Sequence, residues 1–161
     1  MPLDRREMLY VGLGAIAAGV LAGGAVSSPV PATLVLPDAE WRKRLSPNAY
    51  NVLRQRGTEA PFSSPLLNEH RHGTFTCAGC VLPLFASETK FDSGTGWPSF
   101  WKPLPGAVAT SADFEIGMER TEVHCHRCAG HLGHVFDDGP QPTGLRYCMN
   151  GVALGFRPAG K

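Results

Sequence analysis

The 161 residues make one domain's worth of chain, 43% hydrophobic and 18% charged, a balance that excludes an intrinsically disordered protein. Fifteen Lys and Arg against 14 Asp and Glu leave a net charge of +1, so bulk electrostatics give no reason for binding nucleic acid. Nineteen Gly and 14 Pro predict a turn-rich, mainly β domain with few long helices.

At the N-terminus, "MPLDRREML" sets Arg5 and Arg6 directly before the uncharged, Gly/Ala-rich run "YVGLGAIAAGVLAGGAV". A basic stretch followed by an apolar one is the pattern of a secretory signal, and paired arginines resemble the twin-arginine type. Residues 1–32 are therefore read as an export signal to the periplasm, with Ala25 or Ala32 suiting cleavage. The alternative is an uncleaved membrane anchor, because Leu9 to Val26 is 18 residues, the lower edge of a spanning helix. Its many glycines make a poor permanent anchor. Residues 33–37 end a Pro-rich linker, and 38–161 form the domain.

"DAEWRKRL" predicts a helix capped by Asp38, with Trp41 and Leu45 on one face. "SPNAYNVLRQRG" predicts a second short helix in which Ser46 caps, Pro47 takes the first turn and Gly57 terminates. From Gly73 onward, alternation and turn residues predict strands at "GTFT", "ADFEIGM", "RTEVHCH", "HVFDDGP" and "LRYCMNGVALGF". The expected architecture is two N-terminal helices leaning on an antiparallel β domain.

"TCAGCVLP" and "HCHRCAGH" place Cys77/Cys80 and Cys125/Cys128 in two C-x-x-C knuckles separated by 44 residues. Each knuckle offers two sulfurs to a tetrahedral ion, and together they complete a four-cysteine shell for one structural Zn2+. Two disulfides are the competing reading, allowed in an exported protein. A bridge inside C-x-x-C is strained and redox-active, so two purely structural ones fit poorly. With four thiolates available, His70, His72, His124 and His126 read as surface residues.

Cys148 is left over. On a strand through "LRYCMNG", Arg146, Cys148 and Asn150 share one face, and Tyr147 and Met149 the other. A cation beside a thiol favours the thiolate, and an amide can bond a substrate oxygen. The bland alternative is an inert core cysteine, which would not keep Arg and Asn as face-mates. "GHLGHVFDDGP" supplies His131 and His134, which can raise thiolate content, donate a proton to a reacting oxygen, or serve instead as metal ligands. In "FDSGTGWPSFW", Gly94, Gly96 and Pro98 make a rigid turn that can hold Trp97 at a pocket wall, with Phe91, Phe100 and Trp101 as core. These residues point to a thiol-dependent enzyme acting on a polar-oxygen substrate.

"GTFTCAGCVLPLF", "KFDSGTGWPSF", "RTEVHCHRCAGHLGHVFDDGPQPTGLRYCMN" and "VALGF", in that order, resemble the B-type methionine-R-sulfoxide reductases (SelR domain), from about Trp41 to Phe156. The resemblance implies a mainly β fold of two antiparallel sheets, stapled by a four-cysteine zinc site away from the active centre. It implies Cys148 as the nucleophile at the sulfoxide sulfur, with His131 and His134 polarising and protonating the oxygen and Asn150 assisting. Trp97 would hold the substrate methyl group, and Asp138 and Arg146 would organise the polar side of the pocket. Cys148 would leave as a sulfenic acid.

The implied partners are oxidised proteins bearing methionine R-sulfoxide and a thioredoxin-like or small-thiol reductant. A monomer with no nucleic-acid partner is expected. Many relatives read "GCGWPSF", where the Cys resolves the sulfenic acid as a disulfide; here the place is Thr95. An external thiol must then reduce Cys148, or a zinc-site thiol must be sacrificed. A non-catalytic zinc-stapled binding module of related fold is the alternative, and it would not need Cys148 framed by His131, His134 and Asn150.

Overall fold

Pro37 opens the first helix, α1 (Asp38–Arg44), and the expected cap Asp38 is instead its first helical residue. Its carboxylate accepts from the Tyr50 hydroxyl and from Arg42 Nε at 2.8 Å, which ties α1 to the next helix rather than to its own backbone. That helix, α2 (Pro47–Gln55), begins as expected: Ser46 Oγ accepts from the Ala49 N–H at 3.2 Å and Pro47 takes the first turn. It ends on Arg56, left-handed at φ 60°, and not on Gly57. The Arg56 guanidinium meets Glu122 at 2.9 Å and Glu115 at 3.2 Å, and these ion pairs hold the residue in a conformation a non-glycine ordinarily avoids.

The structure is a computed structural model that describes residues 33–160, so the expected export signal lies outside the described residues. Among them, no helix is long and apolar enough to cross a membrane. Nine strands follow the helices: β1 (Gly73–Cys77), β2 (Pro83–Ala86), β3 (Lys90–Phe91), β4 (Ser99–Phe100) and β5 (Val108–Asp113). The others are β6 (Arg120–Cys125), β7 (His131–Phe136), β8 (Arg146–Met149) and β9 (Leu154–Pro158). They form the expected two antiparallel sheets, one ordered β2-β1-β9 and one β3-β4-β8-β7-β6-β5.

Phe75 and Phe85 from the small sheet meet Phe100 from the large one, with ring centroids 4.9 and 4.3 Å apart. All three are fully buried, so the sheets join through an aromatic core whose ring pairs add about 0.5–1.5 kcal/mol each beyond area burial. Of the aromatics expected beside it, Phe91 and Trp101 are only half-buried. Trp41, Val52 and Leu53 bury the helical face.

Two strand expectations change. "LRYCMNGVALGF" is not one strand: after β8, a 3-10 turn at Gly151–Ala153 carries the chain from the large sheet into β9 of the small one. The alternation in "ADFEIGM" is a turn and not a strand, since β5 ends at Asp113, whose carboxylate accepts from the Glu115 N–H at 2.9 Å. Gly117 at φ 78° completes the reversal, and Phe114, Ile116 and Met118 project outward.

Candidate active site and metal centre

β1 ends at Cys77 and β6 at Cys125, so each knuckle starts where a strand of a different sheet stops. Both turns close alike. The residue after the second cysteine, Val81 or Ala129, is left-handed at φ 61° or 54°, and its N–H returns to the carbonyl of Cys77 or Cys125 at 2.8 or 2.9 Å. The four sulfurs converge to within 4.8 Å of one another, with Cys77–Cys128 at 3.6 Å and Cys80–Cys125 at 3.5 Å. A tetrahedral zinc with bonds of ~2.3 Å needs sulfurs roughly 3.8 Å apart, so the cluster fits a metal ion bridging the two sheets. His70, His72, His124 and His126 are not part of it.

Cys148 lies elsewhere, on β8 between β4 and β7. It faces a cavity of about 130 Å³, with Trp97, His134, Phe136 and Asn150 around it. The register explains the grouping: His134 sits directly opposite Cys148 across the β7–β8 ladder, so the two side chains share a face. The next pair is Gly133 opposite Met149, and a Cβ on Gly133 would collide with the Cys148 carbonyl oxygen. Only glycine lets β7 approach β8 this closely.

Residues three apart on a regular strand face opposite sides, which would separate His131 from His134. The β6–β7 register slips between Val123 and His124, and this bulge resets the alternation and leaves the imidazole centroids 5.4 Å apart. His131 does not line the Cys148 cavity. It is buried behind His134, with Nδ1 2.7 Å from Glu122 and Nε2 without a partner. Burial pushes the His131 pKa down against the pull of Glu122, so the ring is neutral at neutral pH. The Glu122 carboxylate stays below its ordinary range: burial raises it, but His131, Ser111 and Arg56 outweigh that. The proton is therefore assigned to Nδ1 and donated to Glu122, which leaves Nε2 as an acceptor.

His134 has its own carboxylate. Its Nε2 is 2.7 Å from Asp113, which Arg120 also holds at 2.6 Å. The Glu115 backbone N–H, His134 and Arg120 keep Asp113 well below the usual carboxylate range. Two carboxylate–imidazole pairs thus stand behind the thiol. Neither Asp113 nor Glu122 is expected from the sequence pattern. The available signal was a buried acid in mid-strand, Glu122 in "RTEV", which needs a partner.

The Trp97 Nε1–H donates to the Glu59 carbonyl at 3.1 Å, which fixes the indole at the cavity wall. Asn150 is buried, accepting from the Glu59 N–H at 2.9 Å and donating to the Leu132 carbonyl at 3.0 Å. Its amide orientation is thereby set, and one N–H remains for a ligand. Arg146 is outside the cavity lining: it forks onto Asp138 at 2.8 Å through two nitrogens and stacks 4.5 Å over the Phe136 ring. Asp138 thus holds Arg146 both against the aromatic wall and close enough to the Cys148 thiol for its charge to be felt there.

The pull of Arg146 towards the thiolate meets an opposing effect. Burial raises the Cys148 pKa above the ordinary thiol value, and Thr95, Arg146 and Ser99 only partly offset it. The resting group is a protonated thiol. Thr95 Oγ1 lies 3.9 Å from its sulfur, and Ser93 Oγ sits 2.8 Å from both Thr95 Oγ1 and Ser99 Oγ.

A two-sheet β domain with a four-cysteine staple and one separate cavity thiol, backed by paired imidazoles, defines a thiol-based oxidoreductase class. The SelR domain profile matches residues 45–158, and the chain belongs to the SelR family. It is 55% identical to the peptide methionine sulfoxide reductase MsrB of Agrobacterium fabrum, over 75% of this chain and 90% of that protein. The MsrB of Leptospira interrogans is 52% identical over 74% and 92%, and that of Thiobacillus denitrificans 54% over 75% and 92%.

Proposed function

We propose that the protein reduces methionine R-sulfoxide in peptides and proteins to methionine, with Cys148 as nucleophile. The observation that carries this is the register placing His134 opposite Cys148 in a cavity walled by Trp97. The substrate methyl group lies on the Trp97 ring, and the Cys148 sulfur attacks the sulfoxide sulfur. With Nε2–H engaged by Asp113, the other nitrogen of His134 is free to carry the thiol proton to the sulfoxide oxygen. Asn150 supplies a donor to the same oxygen, and Glu122–His131 holds β7 in place behind it.

The step balances. Thiol and sulfoxide give a sulfenic acid, Cys148–S–O–H, and a thioether; methionine sulfur gains the two electrons that cysteine sulfur loses. A first external thiol condenses with the sulfenic acid, releasing water and leaving a mixed disulfide. A second thiol displaces Cys148 as the free thiol. A thioredoxin-like protein or a small thiol supplies both. Zinc is the ion that suits four thiolates, and at Cys77, Cys80, Cys125 and Cys128 it supplies cross-linking between the sheets and no chemistry at the substrate. Residues 1–32 export the protein to the periplasm, with the reductase domain at 38–161.

The test supplies dithiothreitol and a peptide carrying one methionine sulfoxide as either epimer. Turnover of the R epimer with little of the S, abolished in Cys148→Ser, is expected. Equal rates for both epimers, or no methionine from either, would contradict it.

A further inference from the structure

The 130 Å³ cavity admits a single side chain, so the rest of a polypeptide substrate must leave it across the surface. A second depression, of about 590 Å³, adjoins it, and Arg120 and Phe136 line both. Its walls are Met118 from the β5–β6 turn, Val135 and Phe136 from β7, and Leu145 before β8. That turn also thrusts Phe114 and Ile116 into solvent, 63% and 59% exposed, an apolar patch left uncovered among the described residues.

The groove has a sign as well. Glu119 and Asp137 line it. Nearby cations are engaged elsewhere: Arg120 by Asp113, Arg146 by Asp138, and Arg56 by Glu115 and Glu122. Among the described residues, neither Glu119 nor Asp137 has a salt-bridge partner.

We propose that this groove docks the stretch of oxidised polypeptide next to the sulfoxide and selects for Lys or Arg within it. The proposal rests on the reductase reading above. Met118, Val135 and Leu145 give an adaptable apolar floor for extended chain. Glu119 and Asp137 meet the ammonium or guanidinium heads while the aliphatic stems lie along that floor.

The experiment compares three R-sulfoxide substrates: N-acetyl-methionine sulfoxide amide, a peptide with Lys on both sides of the sulfoxide, and the same peptide with Glu. At low salt, kcat/KM should favour the Lys peptide over the Glu peptide by roughly fivefold or more, since each exposed charge pair contributes about two- to fivefold. The preference should shrink as salt rises. In the double variant Glu119→Gln, Asp137→Asn, the Lys-to-Glu ratio, each rate divided by that on the small sulfoxide, should fall towards one. Equal kcat/KM for the two peptides in the parent, or an unchanged ratio in the double variant, would overturn the groove and leave the reductase reading standing. No turnover of any of the three would overturn both.

Discussion

Thr95 takes the place that the family resemblance gives, in many members, to a resolving cysteine, and Thr95→Cys tests whether the turn holding it can reach Cys148. Thr95 Oγ1 is 3.9 Å from Cys148 Sγ, and a disulfide requires about 2.05 Å, a difference that side-chain rotation and a small shift of the turn can close. The turn is built to move a little, because Gly94 and Gly96 flank the position at φ 69° and 91°. The substitution forfeits the hydroxyl–hydroxyl hydrogen bond between Thr95 and Ser93, a cost of about 1 kcal/mol. The bridge would close a loop between residues 53 apart, for which chain entropy gives roughly 4 kcal/mol of stabilisation. Net, the oxidised variant should gain about 3 kcal/mol, or roughly 10 °C in Tm for a domain of this size. The assay gives Thr95→Cys one equivalent of R-sulfoxide peptide without reductant, then combines thiol titration, peptide mapping and calorimetry. A 95–148 disulfide with raised Tm is expected, while the parent shows neither. Methionine release with the sulfenic acid intact and Tm unchanged would refute the proximity argument.

Cys77→Ser should copurify with less than one zinc per chain and lose stability, since a structural zinc is worth about 10–16 kcal/mol and a domain's total stability is roughly 5–15 kcal/mol; a zinc-free variant with parental Tm would contradict the staple. Alkylation of Cys148 in zinc-loaded protein should still be accelerating above the ordinary thiol pKa of about 8.5, because burial favours the protonated form, and Arg146→Gln should move the midpoint higher still by removing a nearby positive charge. A midpoint at or below the ordinary value would show that the cation dominates burial. Asp113→Asn should lower kcat by roughly ten- to a hundredfold with little change in KM, below the ~10²–10⁴ that removing an acid–base group outright costs, because His134 stays present but loses the carboxylate that orients it; an unchanged kcat in a folded variant would make Asp113 merely structural.

The parts of the fold readable in the sequence were those written in adjacent residues. Ser46-Pro47 announced α2, and the paired C-x-x-C knuckles announced a four-sulfur cluster able to hold a metal ion, because caps and chelating turns are local chemistry. The site resisted where it depends on pairing between strands. Nothing near "GHLGH" reveals that a bulge returns His131 and His134 to neighbouring positions, or that Asp113, 21 residues from His134, orients it. Alternation misled at "ADFEIGM", where a period of two describes an exposed apolar turn as well as it does a strand. The left-handed Arg56, Val81 and Ala129 occupy places where glycine is the usual sign, so ion pairing and the closing hydrogen bonds of the knuckles override local preference there. The Cys148 protonation state turned on a contest between burial and the field of Arg146, and sequence shows only the second contestant.

The central claim is that one cysteine does the chemistry while four hold the fold, and a single turnover tests it most directly. The parent protein, zinc-loaded and without reductant, is mixed with excess R-sulfoxide peptide and quenched with a sulfenate-trapping reagent for mass spectrometry, with zinc release followed in parallel. The account predicts one methionine per chain, the trap on Cys148 alone, and zinc retained. A disulfide from Cys148 to Cys77, Cys80, Cys125 or Cys128, with zinc expelled, would contradict it and make the metal centre a source of resolving thiols.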